Sequence, residues 1–390
     1  MRRSQVNFQE SRERRELRKA VADFAGKYGR EYFEAKARAG EKTDELWNEA
    51  GKLGYLGVNL PEEYGGGGGG LGDLAAVCEE LAAAGCPLLL TVVSPAICGT
   101  IIARFGTDEQ RRHWLPVLAD GSIKMAFAIT EPDAGSNSHR ITTTARRDGE
   151  GWVLSGQKVF ISGVDEARAV LVVARTENAR TGRLQPALFV VPTDAPGLTT
   201  QLIQMDLLSP EKQFTMFMDD IRLPSASLVG EADAALQQLF AGLNPERIMA
   251  ASLSCGMARY ALRRAVEYAK GRTVFKVPIG AHQTIAHPLA DSAINLEMAR
   301  LMTQKAAALY DAGDDLAAGE AANMAKYAAA EVACVTVDRA IQTHGGNAFT
   351  SEYGLSAIAS VVRVSRVAPV SREMILNFVA EHTLGLPKSY

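Results

Sequence analysis

The stretch from Phe127 to Ser162 holds the residue types best suited to gripping a small molecule. It opens as a short apolar strand, Phe127-Ala-Ile129-Thr130, and breaks at Glu131-Pro132. Proline fixes its own φ and pushes the residue before it to an extended conformation. Asp133-Ala-Gly135-Ser136 then turns the chain, with Gly135 free to take a positive φ. Such a strand end offers backbone N–H groups and two small hydroxyls, Thr130 and Ser136, to a closely approaching group. Further on, in Lys158-Val-Phe160-Ile161-Ser162-Gly163, Phe160 and Ser162 stand two apart, which places them on one face of a strand. An aromatic plane beside a hydroxyl suits a flat polar ring.

The elements around this stretch change character along the chain. Residues 8–120 carry helical spacing and helix punctuation. Leu17, Val21, Phe24 and Tyr28 give an apolar stripe over 14–29. Thr43 is placed to cap a helix over 44–52 that stops at Gly54. Helices are also expected at 73–84 and 93–105, with a capping-box start for another at Thr107-Asp-Glu-Gln110. The glycine run 65–70 matches no phosphate-cradling motif and reads as a mobile surface loop. From 124 to 230, short apolar runs at 152–155, 170–174, 187–191 and 214–218 read as strands between turn residues. They do not alternate with helices, which excludes a doubly wound dinucleotide-binding unit. Beyond 232, long Ala-rich helices over 247–270, 288–310 and 317–342 favour a bundle.

Composition sets the outer bounds. The 390 residues, 47% hydrophobic and 22% charged, are globular in balance and long enough for two or three structural units. A net charge of −3 gives no basic field for nucleic acid and no polybasic run for an anionic membrane. Cys78, Cys86, Cys98, Cys255 and Cys334 lack CxxC spacing and read as core thiols of a reducing compartment. No HExxH or paired-histidine spacing occurs, so no metal site is expected. The polar N-terminus shows no export signal, Lys388-Ser-Tyr is no targeting tripeptide, and the apolar run 87–103 is interrupted by Pro87, Pro95 and Gly99. A cytoplasmic protein, neither membrane-bound nor nucleic-acid-binding, is expected.

Together, Ile129-Thr-Glu-Pro-Asp-Ala-Gly-Ser136 and Gln157-Lys-Val-Phe160-Ile161-Ser162-Gly163 closely resemble the flavin-binding signature of the acyl-CoA dehydrogenases. The resemblance runs from about Phe8 to about Asn347 and weakens beyond. It implies an α+β fold: an N-terminal helical domain (1–122), a small middle β-barrel or sandwich domain (123–232) and a C-terminal four-helix bundle (233–390). It implies FAD, with Phe127, Ile129 and Thr130 along the flavin ring and Ser136 near the thioester. Phe160 would stack on the ring, Ile161 would follow it, and Ser162 would donate near the reactive nitrogen. Family members usually carry Trp and Thr where this chain has Phe160 and Ser162. Arg272 and Phe275 match an Arg-x-x-Phe motif whose guanidinium pairs with the pyrophosphate, a task its planar fork suits. The family's next residue is usually Gly; here it is Lys276. Gln283 matches a contact to the adenylate half, and Gln342, Gly345 and Gly346 a loop that lies against the dinucleotide. In the family these groups reach a neighbouring subunit's flavin, so a homo-oligomer, dimer or tetramer, is implied.

The resemblance also implies the chemistry. A carboxylate takes the α-proton of the acyl thioester while the β-hydride goes to the flavin. Most members place that Glu near the C-terminus, where this chain has Pro369. The isovaleryl and long-chain types place it on a core helix before an Arg, and here stand Asn244-Pro-Glu246-Arg247. Glu246 is therefore the implied base, Arg247 and Asn244 the implied substrate contacts, and Glu373 an alternative base. Taken alone, the same residues also fit a helix start: Asn244 as N-cap, Pro245 in first position, Glu246 complementing the dipole. The implied reaction is oxidation of acyl-CoA to trans-2-enoyl-CoA, with electrons leaving through an electron-transfer flavoprotein. Oxidase-type chemistry and a non-catalytic, regulatory role are the alternatives.

Overall fold

The computed structural model describes residues 10–178, 181–231 and 235–389. Phe8 and the 232/233 boundary lie outside them. Helices come first: α1 (Arg12–Gly26), α2 (Gly29–Ala39), α3 (Asp44–Lys52), α4 (Leu71–Ala83), α5 (Thr100–Phe105) and α6 (Asp108–Ala119). The capping box forms as expected. Gln110 N donates to Thr107 Oγ at 3.2 Å, and Thr107 N donates to Gln110 Oε1 at 3.0 Å. The single helix expected over 93–105 is instead a π-helix, Val92–Gly99, running into α5. Pro95 sits inside it and brings no N–H to the ladder.

The glycine run corrects an expectation. Gly67, Gly68 and Gly69 donate their N–H groups to Gly57, Leu60 and Val58 carbonyls, each at 2.9 Å. A Cβ on Gly66 would lie 2.2 Å from the Leu60 carbonyl oxygen. The run is therefore a packed entry to α4. Its end is held by Asp311, which accepts from Leu71 N and Gly72 N at 2.6 and 3.0 Å. Glycine is needed here for close approach, a use that composition does not distinguish from freedom.

The middle of the chain is a sheet of β1 (Met125–Ala128), β2 (Thr144–Asp148), β3 (Gly151–Ser162), β4 (Ala169–Glu177), β5 (Leu184–Pro192), β6 (Leu198–Ile203), β7 (Gln213–Leu223) and β8 (Leu228–Val229). The order is β6-β7-β3-β2-β4-β5-β8, with β1 parallel to β4. Period-2 alternation divides β1 and β4 between two cores. Ala126, Ala128, Val170 and Val172 join Trp152, Phe189 and Met216 inside the sheet domain. Met125, Phe127, Leu171 and Val173 pack outward on Leu90, Ile97 and Ile101 of the helical domain. Both faces being buried, β1 and residues 169–174 of β4 are apolar throughout, whereas β2 (Thr-Ala-Arg-Arg-Asp) is polar, β6 is mostly exposed, and neither gives such a signal.

The C-terminal part contains α7 (Ala235–Gly271), a hairpin of β9 (Thr273–Val274) and β10 (Val277–Pro278), α8 (Gln283–Asp311), α9 (Asp315–His344), α10 (Leu355–Val364) and α11 (Arg372–Phe378). The helices α7, α8, α9 and α10 pack into the bundle, and α4 docks on α7. At that joint Glu79 and Glu80 of α4 are buried among Arg18, Arg259 and Arg300, with N···O distances of 2.6–2.9 Å. Gly256 lets α7 approach, since a Cβ there would lie 2.4 Å from the Glu79 carbonyl oxygen. The small residues over 250–258 thus serve close helix packing.

Candidate active site

Glu246 lies in the body of α7, beyond its first turns. The helix-start alternative for Asn244, Pro245 and Glu246 is therefore overturned. Pro245 has no N–H, so the Ala241 carbonyl loses its helical partner. The Tyr310 hydroxyl of α8 replaces it, donating to Ala241 O at 2.8 Å. The proline is thus accommodated by a bond from the next helix. Asn244 is buried and used at both ends: Nδ2 donates to Asp315 O at 3.3 Å, and Oδ1 accepts from the Arg247 guanidinium at 3.3 Å. Arg247 also donates to Leu243 O at 3.2 Å, while its buried Nε has no partner.

The Glu246 carboxylate is part-buried and has no hydrogen-bond partner among the described residues. Burial raises its pKa to about 7, against the opposing charges of Arg247 and Lys326. Burial likewise pushes the Arg247 guanidinium down, and Glu246 partly opposes that. Pro369 leaves the C-terminal position without a carboxylate, and Glu373, in the first turn of α11, is exposed. Of Glu246 and Glu373, Glu246 is the sheltered carboxylate.

The other half of the site stands at the end of β1. Val159 N donates to Thr130 O at 2.9 Å, which brings the two sequence motifs side by side. Glu131 is the staple. Its carboxylate accepts from Thr142 N, Thr142 Oγ1, Thr143 N and the fully buried Lys158 ammonium, the last at 2.9 Å. Lys158 also donates to Ile129 O at 2.9 Å. The turn closes through Glu131 and Ala134, which exchange backbone bonds, so Gly135 does not use a positive φ. The hydroxyls of Thr130 and Ser136 have no protein partner among the described residues.

Phe160 departs from the expected strand geometry. The β3–β7 register shifts between Lys158 and Ile161, and Phe160 sits in that irregularity at φ +58°. Simple alternation therefore does not relate Phe160 to Ser162. A left-handed aromatic residue is strained, and Phe160 is also 56% exposed. Ile161 beneath it is buried. Ser162 Oγ donates to Gln213 Oε1 at 3.0 Å and lies 2.9 Å from Gln213 Nε2, so its hydroxyl is held by Gln213. Cys98 ties the halves together: it feels the Glu246 charge, and its thiol donates to Ala126 O of β1 at 3.4 Å.

The remaining expected residues cluster at the opposite end of α7. Phe275 and Lys276 form the two-residue turn of the β9–β10 hairpin, with φ of +51° and +72°. Phe275 is 87% exposed, and Arg272 and Gln283 are exposed beside it in sequence. Gln342, Gly345 and Gly346 are exposed at the end of α9. They are held to the same end by Tyr268, whose ring stacks on His344 at 4.3 Å and whose hydroxyl accepts from Asn347 at 3.0 Å. Along α7, Glu246 and Gly271 are roughly 37 Å apart at about 1.5 Å per residue.

Family profiles match three successive parts of the chain. They are the acyl-CoA dehydrogenase N-terminal domain over residues 11–122, middle domain over 126–209 and C-terminal domain over 236–384. The acyl-CoA dehydrogenase FadE12 of Mycobacterium tuberculosis is 65% identical, over 99% of each chain. The mitochondrial long-chain specific acyl-CoA dehydrogenase of Sus scrofa is 32% identical over 88% of this chain and 80% of its own. A solved glutaryl-CoA dehydrogenase of Mycobacterium smegmatis, in complex with FADH2, superposes with a TM-score of 0.89 at 26% identity, covering 99% and 98% of the two chains. The chain belongs to the acyl-CoA dehydrogenase family. As a member it is an FAD-dependent oxidoreductase.

The residues of this acyl-CoA dehydrogenase fit its cofactor. An exposed aromatic ring held in a strained conformation, two hydroxyls without a protein partner among the described residues and a serine hydroxyl held by Gln213 belong to the two motifs that meet where β1 joins β3. Four residues escaped the sequence reading: Lys326, Tyr310, Gln213 and Lys158. Each acts through a partner distant in the chain, so no local spacing marks it. Among the described residues no metal-binding cluster occurs, and no helix is long and apolar enough to cross a membrane.

Proposed function

We propose that Glu246 is the base that removes the α-proton of an acyl-CoA thioester in this acyl-CoA dehydrogenase. The observation that carries it is a part-buried carboxylate with no hydrogen-bond partner among the described residues and a pKa raised to about 7. Such a group is matched to a proton transfer near neutral pH. FAD, held by Phe127, Ile129, Thr130, Ser136, Phe160, Ile161 and Ser162, would accept the β-hydride. Ser162 would turn its proton from Gln213 Oε1 to the flavin, Phe160 supplies a stacking face, and Thr130 a free hydroxyl at the strand end. Arg247, with Nε unpartnered, supports the CoA side of the substrate, and Asn244 acts by orienting Arg247. Burial of Glu246 among α7, α9 and the π-helix limits water around the base.

The same reading makes the protein a homo-oligomer. A single ribityl chain cannot span the roughly 37 Å of α7 between Glu246 and the Arg272 end. Arg272, Phe275, Gln283, Gln342, Gly345 and Gly346 are therefore assigned to a second subunit's FAD. An electron-transfer flavoprotein is the proposed acceptor and the cytoplasm the proposed location. The chain divides at 122/123 and 232/233, supported by the change from helix to sheet after Ala119 and back to helix by Ala235.

The test is anaerobic mixing of the holoenzyme with short, branched, aromatic and long acyl-CoAs, following loss of the yellow flavin band. One class is expected to bleach wild type, and Glu246→Gln is expected to lose that bleaching by at least about a thousandfold. The wild-type rate should rise with pH to a half-maximum near 7, because only the ionised carboxylate accepts a proton. Bleaching retained in Glu246→Gln would remove Glu246 as the base.

A further inference from the structure

Lys326 lies on α9 and is only 1% exposed, among the largest fully buried side chains of the protein. No carboxylate lies within ion-pair distance of it among the described residues. Its ammonium donates to the Val370 carbonyl, in the segment that holds Pro369. A lysine ammonium has three donors, and burying one without an anion is costly unless something else is gained. The charges around it come from several elements. Glu246 and Arg247 face it from α7, Glu331 lies five residues along α9, and Glu373 faces it from α11. Glu331 is already paired with Arg366 at 2.9 Å and lies 3.8 Å from Arg372. Glu246 in turn is faced by Arg247, Lys326 and the Cys98 thiol. Removing Lys326 would leave a carboxylate beside Arg247 alone, and Val370 O without its donor.

We propose that Lys326 is a positioning residue for Glu246, its buried ammonium fixing the 366–371 segment against α9 and supplying the positive field in which the Glu246 carboxylate works. The inference rests on Glu246 being the base. It gives the lysine a task that the family's C-terminal carboxylate position, here Pro369, does not perform. It also accounts for a buried cation with a backbone carbonyl as its hydrogen-bond partner. Burial holds the Lys326 pKa down to about 8, with Arg247 adding to the fall, while Glu246, Glu331 and Glu373 oppose it. The ammonium is therefore mostly charged at neutral pH, where the base must be ionised.

The experiment compares the pH dependence of anaerobic flavin reduction in wild type, Lys326→Met, Lys326→Gln and Lys326→Arg holoenzymes, with saturating acyl-CoA. Glutamine keeps a donor for Val370 O and removes the charge; arginine keeps the charge. In Lys326→Gln and Lys326→Met the acid-side half-maximum should move up by about one pH unit, since loss of a nearby positive charge raises a carboxyl pKa. In Lys326→Arg it should stay within about 0.3 unit of wild type. A uniform fall in rate with an unmoved midpoint in Lys326→Gln would reduce Lys326 to a structural tether and overturn the proposal. If neither neutral variant takes up FAD, Lys326→Arg decides. An unmoved midpoint with substantial turnover supports the positive field. Loss of reduction in a folded, yellow arginine variant overturns it. Glu246→Gln, run in parallel, separates the two readings: bleaching retained there defeats the base assignment, whatever Lys326 does.

Discussion

Lys276 shows how one side chain can depart from a family pattern without disturbing a fold. The two-residue turn between β9 and β10 needs a positive φ at both positions, and Lys276 takes +72°. Two-residue hairpins of this kind favour Asn-Gly or Gly-Gly because glycine meets that requirement without a Cβ penalty. The glycine usual here in relatives therefore answers to backbone geometry. Lys276→Gly is expected to stabilise the protein by about 1 kcal/mol, the cost of a left-handed non-glycine residue. Thermal unfolding of the holoenzyme reads it, and an unchanged or lower midpoint would show that the lysine side chain makes a compensating contact. Phe160, at φ +58°, pays a similar cost but is retained at the flavin motif, where strain is tolerated for function. The sequence showed Phe160 as an aromatic near a serine. It could not show the register shift that turns the ring out, because that shift is decided by the pairing of β3 with β7.

At the scale of elements, the flavin motif is held less by its own residues than by the Glu131–Lys158 pair that joins β1 to β3. Burial alone would raise the Glu131 pKa. Hydrogen bonds from Thr143 and Thr142 and the Lys158 charge bring it down to about 2. Burial also lowers Lys158, to about 8, against the pull of Glu131, so both are charged at pH 7. Glu131→Gln would leave a buried ammonium without its anion, a loss of about 3 kcal/mol or more, with weaker FAD retention. Because the folded-state pKa of Glu131 is depressed, its contribution is present above the ordinary carboxyl value of 4.5 and fades as pH falls toward 2. The stability gap between wild type and variant, measured by denaturant unfolding, should therefore narrow between pH 5 and pH 3. A constant gap would place the effect elsewhere. Long elements are legible: α7, α8 and α9 stand out because long alanine-rich runs favour helix over many turns. The start of α7 is not, because Asn244-Pro245 looks like a helix start, and only the Tyr310 hydroxyl at Ala241 O shows how a helix continues through it.

For the molecule as a whole, the proposed sharing of one FAD between two chains rests on the length of α7. Glu246 lies roughly 37 Å from Gly271 along the helix, and Arg272 follows directly. The α8 face carrying Ile294, Met298 and Leu301 is exposed at helical spacing. In the proposed homo-oligomer such an apolar row would be covered by the second copy, which would bring its Arg272 end toward the first chain's Glu246 site. The resemblance implies this arrangement, and the separation of the two residue sets along one helix is the reason for proposing it. The consequence is complementation. Glu246→Gln lacks the base, and Arg272→Ala lacks the arginine it lends, so each homo-oligomer should be inactive or nearly so. In a mixed pair, the site with an intact Glu246 receives Arg272 from the other chain and is whole, while the second site lacks both. Random one-to-one reassembly after unfolding or co-expression should then restore roughly a quarter of wild-type sites, scored by the fraction of flavin that acyl-CoA bleaches. Homo-oligomers mixed without subunit exchange should stay silent. If each site drew both residues from one chain, every site in every mixture would carry a defect, and no mixing would restore bleaching.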